Sequence, residues 1–146
     1  MPESGTSRTM EASAEAVWSL LADFGNIEAW WPKDGKIRIE EVRVEGNGIG
    51  TVRHIKNVGV ESPVSERLDY LDPAAMTWML SIVGQRPAGI TAYVAIGQLT
   101  PLTPNRCRVD YRCYVTTEPG KEQRIEDVLR YTWTIMFDGL EAAAKA

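Results

Sequence analysis

His54 is the only histidine in the sequence. Imidazole is the one side chain that changes charge between about pH 5 and pH 8 without help from its surroundings, so His54 is the candidate general base for any proton transfer. Arg53 and Glu66 are the other two catalytic candidates. Arg53 shares strand parity with Ile55, and Glu66 shares it with Leu68 and Tyr70, so alternation turns both toward an interior if those neighbours are core. Buried charges need partners, and a guanidinium with a carboxylate is the pair best suited to meet that need. Such a pair, helped by the hydroxyls of Tyr93 or Tyr111, has the chemistry to move protons or to stabilise an enolate. The alternative is a surface cross-strand ion pair, which follows from a one-residue slip in parity. His54 has the opposite parity to Ile55, so its alternative is a solvent-facing side chain.

Several chemistries are not indicated. No residue is recognisably placed to orient His54, and no Gly-x-Ser-x-Gly elbow occurs, which leaves hydrolysis without its machinery. Cys107 and Cys113 fall in one candidate strand, which separates them by about 20 Å, too far for a disulfide. With a single distant histidine they do not form a zinc set, so no metal is expected. Gly46-Asn47-Gly48-Ile49-Gly50 looks like a phosphate loop, but a strand follows it instead of a helix N-terminus, and it reads as a hairpin turn. No cofactor is expected.

The elements that must position these residues follow from periodicity. Ser4 to Glu11 reads as a short polar strand. Val17, Leu20, Leu21 and Phe24 then recur at helical spacing, with Ser13 as N-cap and Gly25 beyond the end. Asn26 to Trp31 allows a second short helix before Pro32 stops it. Six alternating segments follow: Ile37 to Val44, Thr51 to Val58, Val64 to Leu71, Met76 to Val83, Ile90 to Leu99 and Arg106 to Val115. Gly- and Pro-containing turns separate them, the last spanning Pro101 to Asn105. After Gly120 the chain is helical to its end, with Ile125, Val128, Leu129, Thr132, Ile135, Met136 and Leu140 as the apolar stripe. A long amphipathic helix needs a large apolar partner, and an antiparallel sheet with one solvent face is the one available. The expected class is α+β.

With 146 residues, 44% hydrophobic and 25% charged, one domain over 1–146 is expected, with enough apolar surface to fold without metals or disulfides. The net charge of -4 argues against nucleic acid as a partner. The first residues lack a basic region followed by an apolar run, and no stretch approaches the ~20 apolar residues of a membrane span. A cytoplasmic location without integral membrane association is expected.

Several strings bear a family likeness. Glu15 to Phe24 with its Asp23-Phe24 ending, followed by Trp30-Trp31-Pro32, resembles the opening of the START-like (SRPBCC) superfamily, and within it of the polyketide cyclase/dehydrase and lipid-transport family. Gly50-Thr51-Val52-Arg53, Ser65 to Asp72 and Ser81-Ile82-Val83-Gly84 are similar to the plant abscisic-acid receptor branch. The resemblance implies the helix-grip fold: a seven-stranded curved antiparallel sheet wrapped around a long C-terminal helix, with two short helices after the first strand. In the receptors a gate and a latch follow the matching strands. Here Gly59 to Pro63 and Gln85 to Pro87 occupy those places without the receptors' Ser-Gly-Leu-Pro-Ala or His-Arg-Leu, so hormone sensing is not implied.

A sheet gripping a helix encloses space wherever the intervening side chains do not fill it, and such pockets take mostly apolar ligands with a few polar anchors. Parity turns Arg53, Ile55, Glu66, Leu68 and Tyr70 inward, then Trp78, Leu80, Ile82, Tyr93, Ala95, Tyr111 and Cys113. Val128, Thr132, Ile135 and Met136 lie above them, and Trp30 is placed near the mouth. The expected activity is binding of a small hydrophobic molecule as carrier or sensor. A polyketide cyclase, aromatase or lyase using the polar residues is the alternative, and a protein-interaction module is the third reading. The expected oligomeric state is monomer or homodimer.

Overall fold

Alternation between positions 37 and 115 produces a continuous antiparallel meander. The strands are β2 (Ile39–Glu45), β3 (Val52–Asn57), β4 (Val64–Asp72), β5 (Thr77–Val83), β6 (Ile90–Thr103) and β7 (Arg106–Thr117). The first strand, β1 (Glu3–Met10), pairs with β7, giving the seven-stranded order β1-β7-β6-β5-β4-β3-β2. The computed structural model describes residues 3–146. Residues 1 and 2, which begin both the expected 1–146 domain and the stretch read for a signal, lie outside the described residues.

Helix α1 (Ala14–Ala22) starts where Ser13 Oγ accepts the Ala16 amide at 3.2 Å, an N-cap that satisfies a donor with no partner inside the helix. The second short helix is only a 3₁₀ turn, Ile27–Ala29. Too few residues separate Asn26 from Pro32 for a regular α-helical ladder, and the chain tightens instead. The final helix, α2 (Glu122–Lys145), crosses the sheet with Ile125, Leu129, Trp133, Phe137 and Leu140 buried. This face is rotated from the expected stripe. Val128 is 49% exposed, and Thr132, Ile135 and Met136 are partly buried. Trp133 and Phe137, absent from that stripe, bury the largest apolar areas and turn the helix toward themselves.

Two irregularities change which residues face inward. Leu68 pairs with Leu80, but Tyr70 pairs with Met79, so Asp69 is an extra residue in β4. The bulge reverses parity beyond it. Tyr70, expected inside, emerges on the outer face, 42% exposed with its hydroxyl donating to Asp72, while Leu71 takes the place opposite Trp78. In β6, pairing with β5 ends at Gln98, and the strand continues along β7 past Pro101 to Thr103. Proline survives there because its missing N–H falls on the side that has no β5 partner. The turn expected from Pro101 therefore begins three residues later, at Pro104.

One half of the space between sheet and helix is filled. The Trp78 indole lies across Gly97, where an added Cβ would come within 2.2 Å of the ring. This lets Trp78 reach Tyr111 and Trp18, with centroids 6.1 and 6.3 Å away. Tyr111 in turn meets Phe137 edge-on at 5.9 Å. At the far end, Gly139 allows α2 to press against the chain at Trp30, whose carbonyl would sit 2.3 Å from a Cβ at that position. A polar seam holds α2 to β1: Arg8 bridges Asp138 and Glu141 at 2.6 and 2.8 Å, and Ser4 donates to Glu126 at 2.7 Å. The helix is thus anchored on the β1–β7 side. Its opposite flank faces the short aliphatic side chains of β3 to β5.

Candidate functional site

That opposite flank encloses a cavity of about 350 Å³. Leu80, Ile82, Ile55, Ile90 and Tyr93 form its sheet side. Leu129, Trp133, Thr132 and Met136 of α2 form the roof, and Ile27, Trp31, Ile37 and Ile39 close one flank. Lys36, Val58, Val60, Pro87 and Val128 line the remaining side. Of these, Lys36, Val58, Val60 and Val128 are exposed, which makes this side the mouth. Val60 in the 59–63 segment and Pro87 in the 85–87 segment thus flank the opening.

Polar groups gather at one end. Arg53 donates through Nε to Glu66 Oε1 at 2.9 Å, and one Nη lies 2.8 Å from the same oxygen. The side chains are 7% and 18% exposed, respectively. Cross-strand register puts them directly opposite, Arg53 on β3 and Glu66 on β4. The other Nη donates to the Phe24 carbonyl at 2.9 Å, and the guanidinium carbon stands 3.9 Å from the Phe24 ring centroid. The pair is therefore the inward arrangement and not the surface bridge.

Tyr93 and Tyr111 stand beside it, with Trp133 Nε1 donating to the Tyr93 hydroxyl at 3.3 Å. Burial pushes both phenols well above their ordinary range, and the Glu66 charge adds to the rise at Tyr111. Both stay protonated at physiological pH, so they offer neutral hydrogen-bonding groups and are not bases. The polar end is electrically compensated, one guanidinium against one carboxylate. It is suited to hold or polarise an oxygen-bearing group of a bound molecule.

Among the residues expected to face a cavity, Arg53, Ile55, Glu66, Leu80, Ile82, Tyr93, Tyr111, Val128, Thr132 and Met136 line this one. The others do not. Leu68, Trp78, Ala95 and Cys113 are buried in the solid part of the core, where the aromatic cluster leaves no space. Tyr70 is turned out by the bulge, and Ile135 lies off the cavity-facing side of the rotated helix. Trp30 is 4% exposed beneath Gly139, and it is Trp31 that lines the cavity, with its Nε1 donating to the Ile37 carbonyl at 2.8 Å.

His54 sits on the other face of the sheet, with Nδ1 2.6 Å from Ser65 Oγ and Nε2 2.9 Å from Glu45 Oε1. It cannot reach the cavity from there, which removes it as the base for chemistry inside. Trp133, Leu129, Trp31, Ile27 and the mouth residues Lys36, Val58, Val60 and Pro87 line the cavity without having been expected there, whereas Val128 was. The four-residue spacing of Ile125, Leu129, Trp133 and Phe137 was a usable signal for the first two. Loop residues carry no periodicity that reveals their direction. The cysteines are free and buried, with burial pushing the Cys113 thiol up to about 11. Among the described residues no group of three or more side chains is arranged to hold a metal, and no helix is long and apolar enough to cross a membrane.

The family described as polyketide cyclase/dehydrase and lipid transport matches residues 1–145. The chain belongs to this family. No curated protein sequence matches it. Among solved structures, this family member resembles the protein XoxI from Bacillus cereus at 21% identity, TM-score 0.81, covering 99% of this chain and 96% of that one. It resembles the ZhuI aromatase/cyclase from Streptomyces sp. R1128 at 18% identity, TM-score 0.80, covering 99% and 93%. Norcoclaurine synthase from Thalictrum flavum gives 16% identity and TM-score 0.78, covering 97% and 84%. At these identities the likeness establishes the shared helix-grip fold, while function must be argued from the site.

Proposed function

We propose that this cyclase/dehydrase and lipid-transport family member, acting as one domain over residues 1–146, binds a small hydrophobic molecule in the cavity under α2. It serves as carrier or sensor of a lipid, polyketide, isoprenoid or other aromatic compound in the cytoplasm. The observation that carries this reading is an apolar chamber of about 350 Å³ that opens to solvent through an exposed valine rim. Sites for small molecules span about 300–1,000 Å³ and combine apolar walls with a few polar anchors, as here. Titration with an environment-sensitive apolar dye, then competition by polyphenols, sterols and fatty acids, tests it. One-to-one saturable binding that Ile82→Trp abolishes without loss of cooperative folding is the expected result. Absence of any saturable site overturns it and favours a module that binds protein partners.

A cyclase, aromatase or lyase reading draws support from the Arg53–Glu66 pair and the two neutral phenols at one end of the apolar chamber. In that reading Glu66 moves the proton, and Arg53 and Tyr111 stabilise charge developing on oxygen. It predicts turnover of a reactive oxygenated chain that Glu66→Gln abolishes while dye binding persists.

A further inference from the structure

Most lysines and arginines of this chain have a carboxylate within ion-pair distance. Among the described residues the exceptions are Lys33, Lys36, Arg38, Arg86, Arg124 and Lys145, and all of these are exposed. Only Lys145, at the end of α2, is remote from the cavity mouth. Lys36 lines the mouth, and the Arg38 carbonyl accepts the Val58 amide at 2.8 Å, which ties that segment to the valine rim. Lys33 belongs to the short stretch between the cavity-lining Trp31 and Lys36. Arg86 adjoins Pro87, and Arg124 stands one helical turn before Val128 on the same face of α2. Asp34, Glu61 and Asp127 lie in the same stretches, and the balance there is still positive, on a molecule whose net charge is -4. Such an asymmetry orients the protein in the field of an anionic partner.

Exposed apolar side chains stand between these cations. Val58 and Val60 flank Gly59, whose φ of 79° allows the tight turn that leaves both valines exposed, and Val128 is exposed on α2. Protein interfaces draw their energy from a packed centre of aromatic anchors, and lysine and valine serve poorly there. A fluid bilayer asks for no matching shape. Apolar tips on separate segments sink into its headgroup boundary, while long cationic side chains beside them reach acidic headgroups.

We propose that the cavity mouth is a docking surface for an anionic lipid bilayer. Val58, Val60 and Val128 enter the headgroup boundary, and Lys36, Arg38, Arg86 and Arg124 engage acidic headgroups. Contact is peripheral, and the opening of the cavity faces the membrane. This goes beyond ligand binding and stands on the surface of the mouth alone, so vesicle binding and dye binding succeed or fail independently.

Cosedimentation with vesicles tests it. The protein is expected to pellet with an equimolar mixture of phosphatidylcholine and phosphatidylglycerol, to stay in solution with phosphatidylcholine alone, and to be released from the mixture as salt rises. Lys36→Gln and Arg86→Gln are each expected to weaken binding about five-fold, and Val58→Ser/Val60→Ser about ten-fold. All four positions are exposed, so these changes leave the fold standing. The native cysteines are buried, which lets an environment-sensitive label be placed on Val60→Cys. Its emission is expected to shift blue on the mixed vesicles. The same label on Asn105→Cys, beyond the far end of β6 from the cavity-lining Ile90, is expected not to shift. No pelleting with the mixed vesicles at low salt overturns the proposal. So does binding that needs the cations and not the valines, which is how an acidic protein or any polyanion would bind, and so does an equal shift at both labels.

Discussion

Arg53 and Glu66 each make the other tolerable at the edge of an apolar chamber, so removing either one alone exposes the cost of the remaining charge. Arg53→Met leaves the Glu66 carboxylate without its partner and is expected to destabilise the fold by about 3 kcal/mol, toward the low end for a buried pair because Glu66 keeps some exposure. The double variant Arg53→Met/Glu66→Met is expected to recover most of that loss, and urea unfolding of the four proteins in the cycle measures the coupling.

The two cavity phenols give an alkaline signature. Burial raises Tyr93 and Tyr111 in the folded chain, so the unfolded state releases their protons first, from about pH 10 upward. Their contribution is fully present below that pH and declines above it. Phenolate absorbance during alkaline titration is therefore expected to leave two of the five tyrosines silent at pH 11 until denaturant is added.

At the acid end the sign is opposite. Glu141 accepts the Glu11 amide at 2.6 Å and pairs with Arg8, contacts that hold its carboxyl below the ordinary value of 4.5. Its stabilisation is present above that pH and is lost as the pH falls through the lowered folded value. Glu141→Gln is expected to flatten the acid limb of a stability-against-pH curve.

The elements are held in place by a few close approaches that leave no slack. Trp78 reaches Tyr111 only because Gly97 has no side chain, and Gly97→Ala places a methyl carbon 2.2 Å from the indole. Overpacking of this kind typically costs about 1–3 kcal/mol, and here it also displaces the aromatic wall that bounds the cavity. A lowered urea midpoint with weakened dye binding is the expected outcome. Gly139 plays the same part for α2 against Trp30 and Pro32. The strand and helix boundaries were nearly all legible, since period-two and period-3.6 patterning reflects which faces are buried. The Asp69 bulge was not. A single inserted residue leaves the composition of β4 unchanged, and only its pairing with β5 reveals that Tyr70 and Leu71 have exchanged faces.

For the whole molecule, the seam joining β1 to α2 and the aromatic cluster hold the β1–β7 side of the grip closed, and the β3–β5 side is left hollow. A ligand that occupies this space only in the folded state adds stability by mass action, about 2.7 kcal/mol at one hundred times its dissociation constant. In a domain of this size that corresponds to a rise in Tm of several degrees. Thermal unfolding with a bound competitor is expected to show this rise, and Ile82→Trp, which fills the chamber from the sheet side, to abolish it.

Strand order, the capped first helix, the terminal amphipathic helix and the family likeness were all readable along the chain, because each is written in local periodicity or in contiguous strings. The inward pairing of Arg53 with Glu66 was readable as one of two arrangements. Tertiary structure decided between them through the β3–β4 register, and it decided that His54 faces away from the cavity. It also settled where the space lies. Which of Trp78, Leu80, Val128 and Trp133 fill the interior and which line it depends on the rotation of α2 and on the bulk that meets across Gly97. Those are relations between residues distant in sequence, and no local pattern carries them.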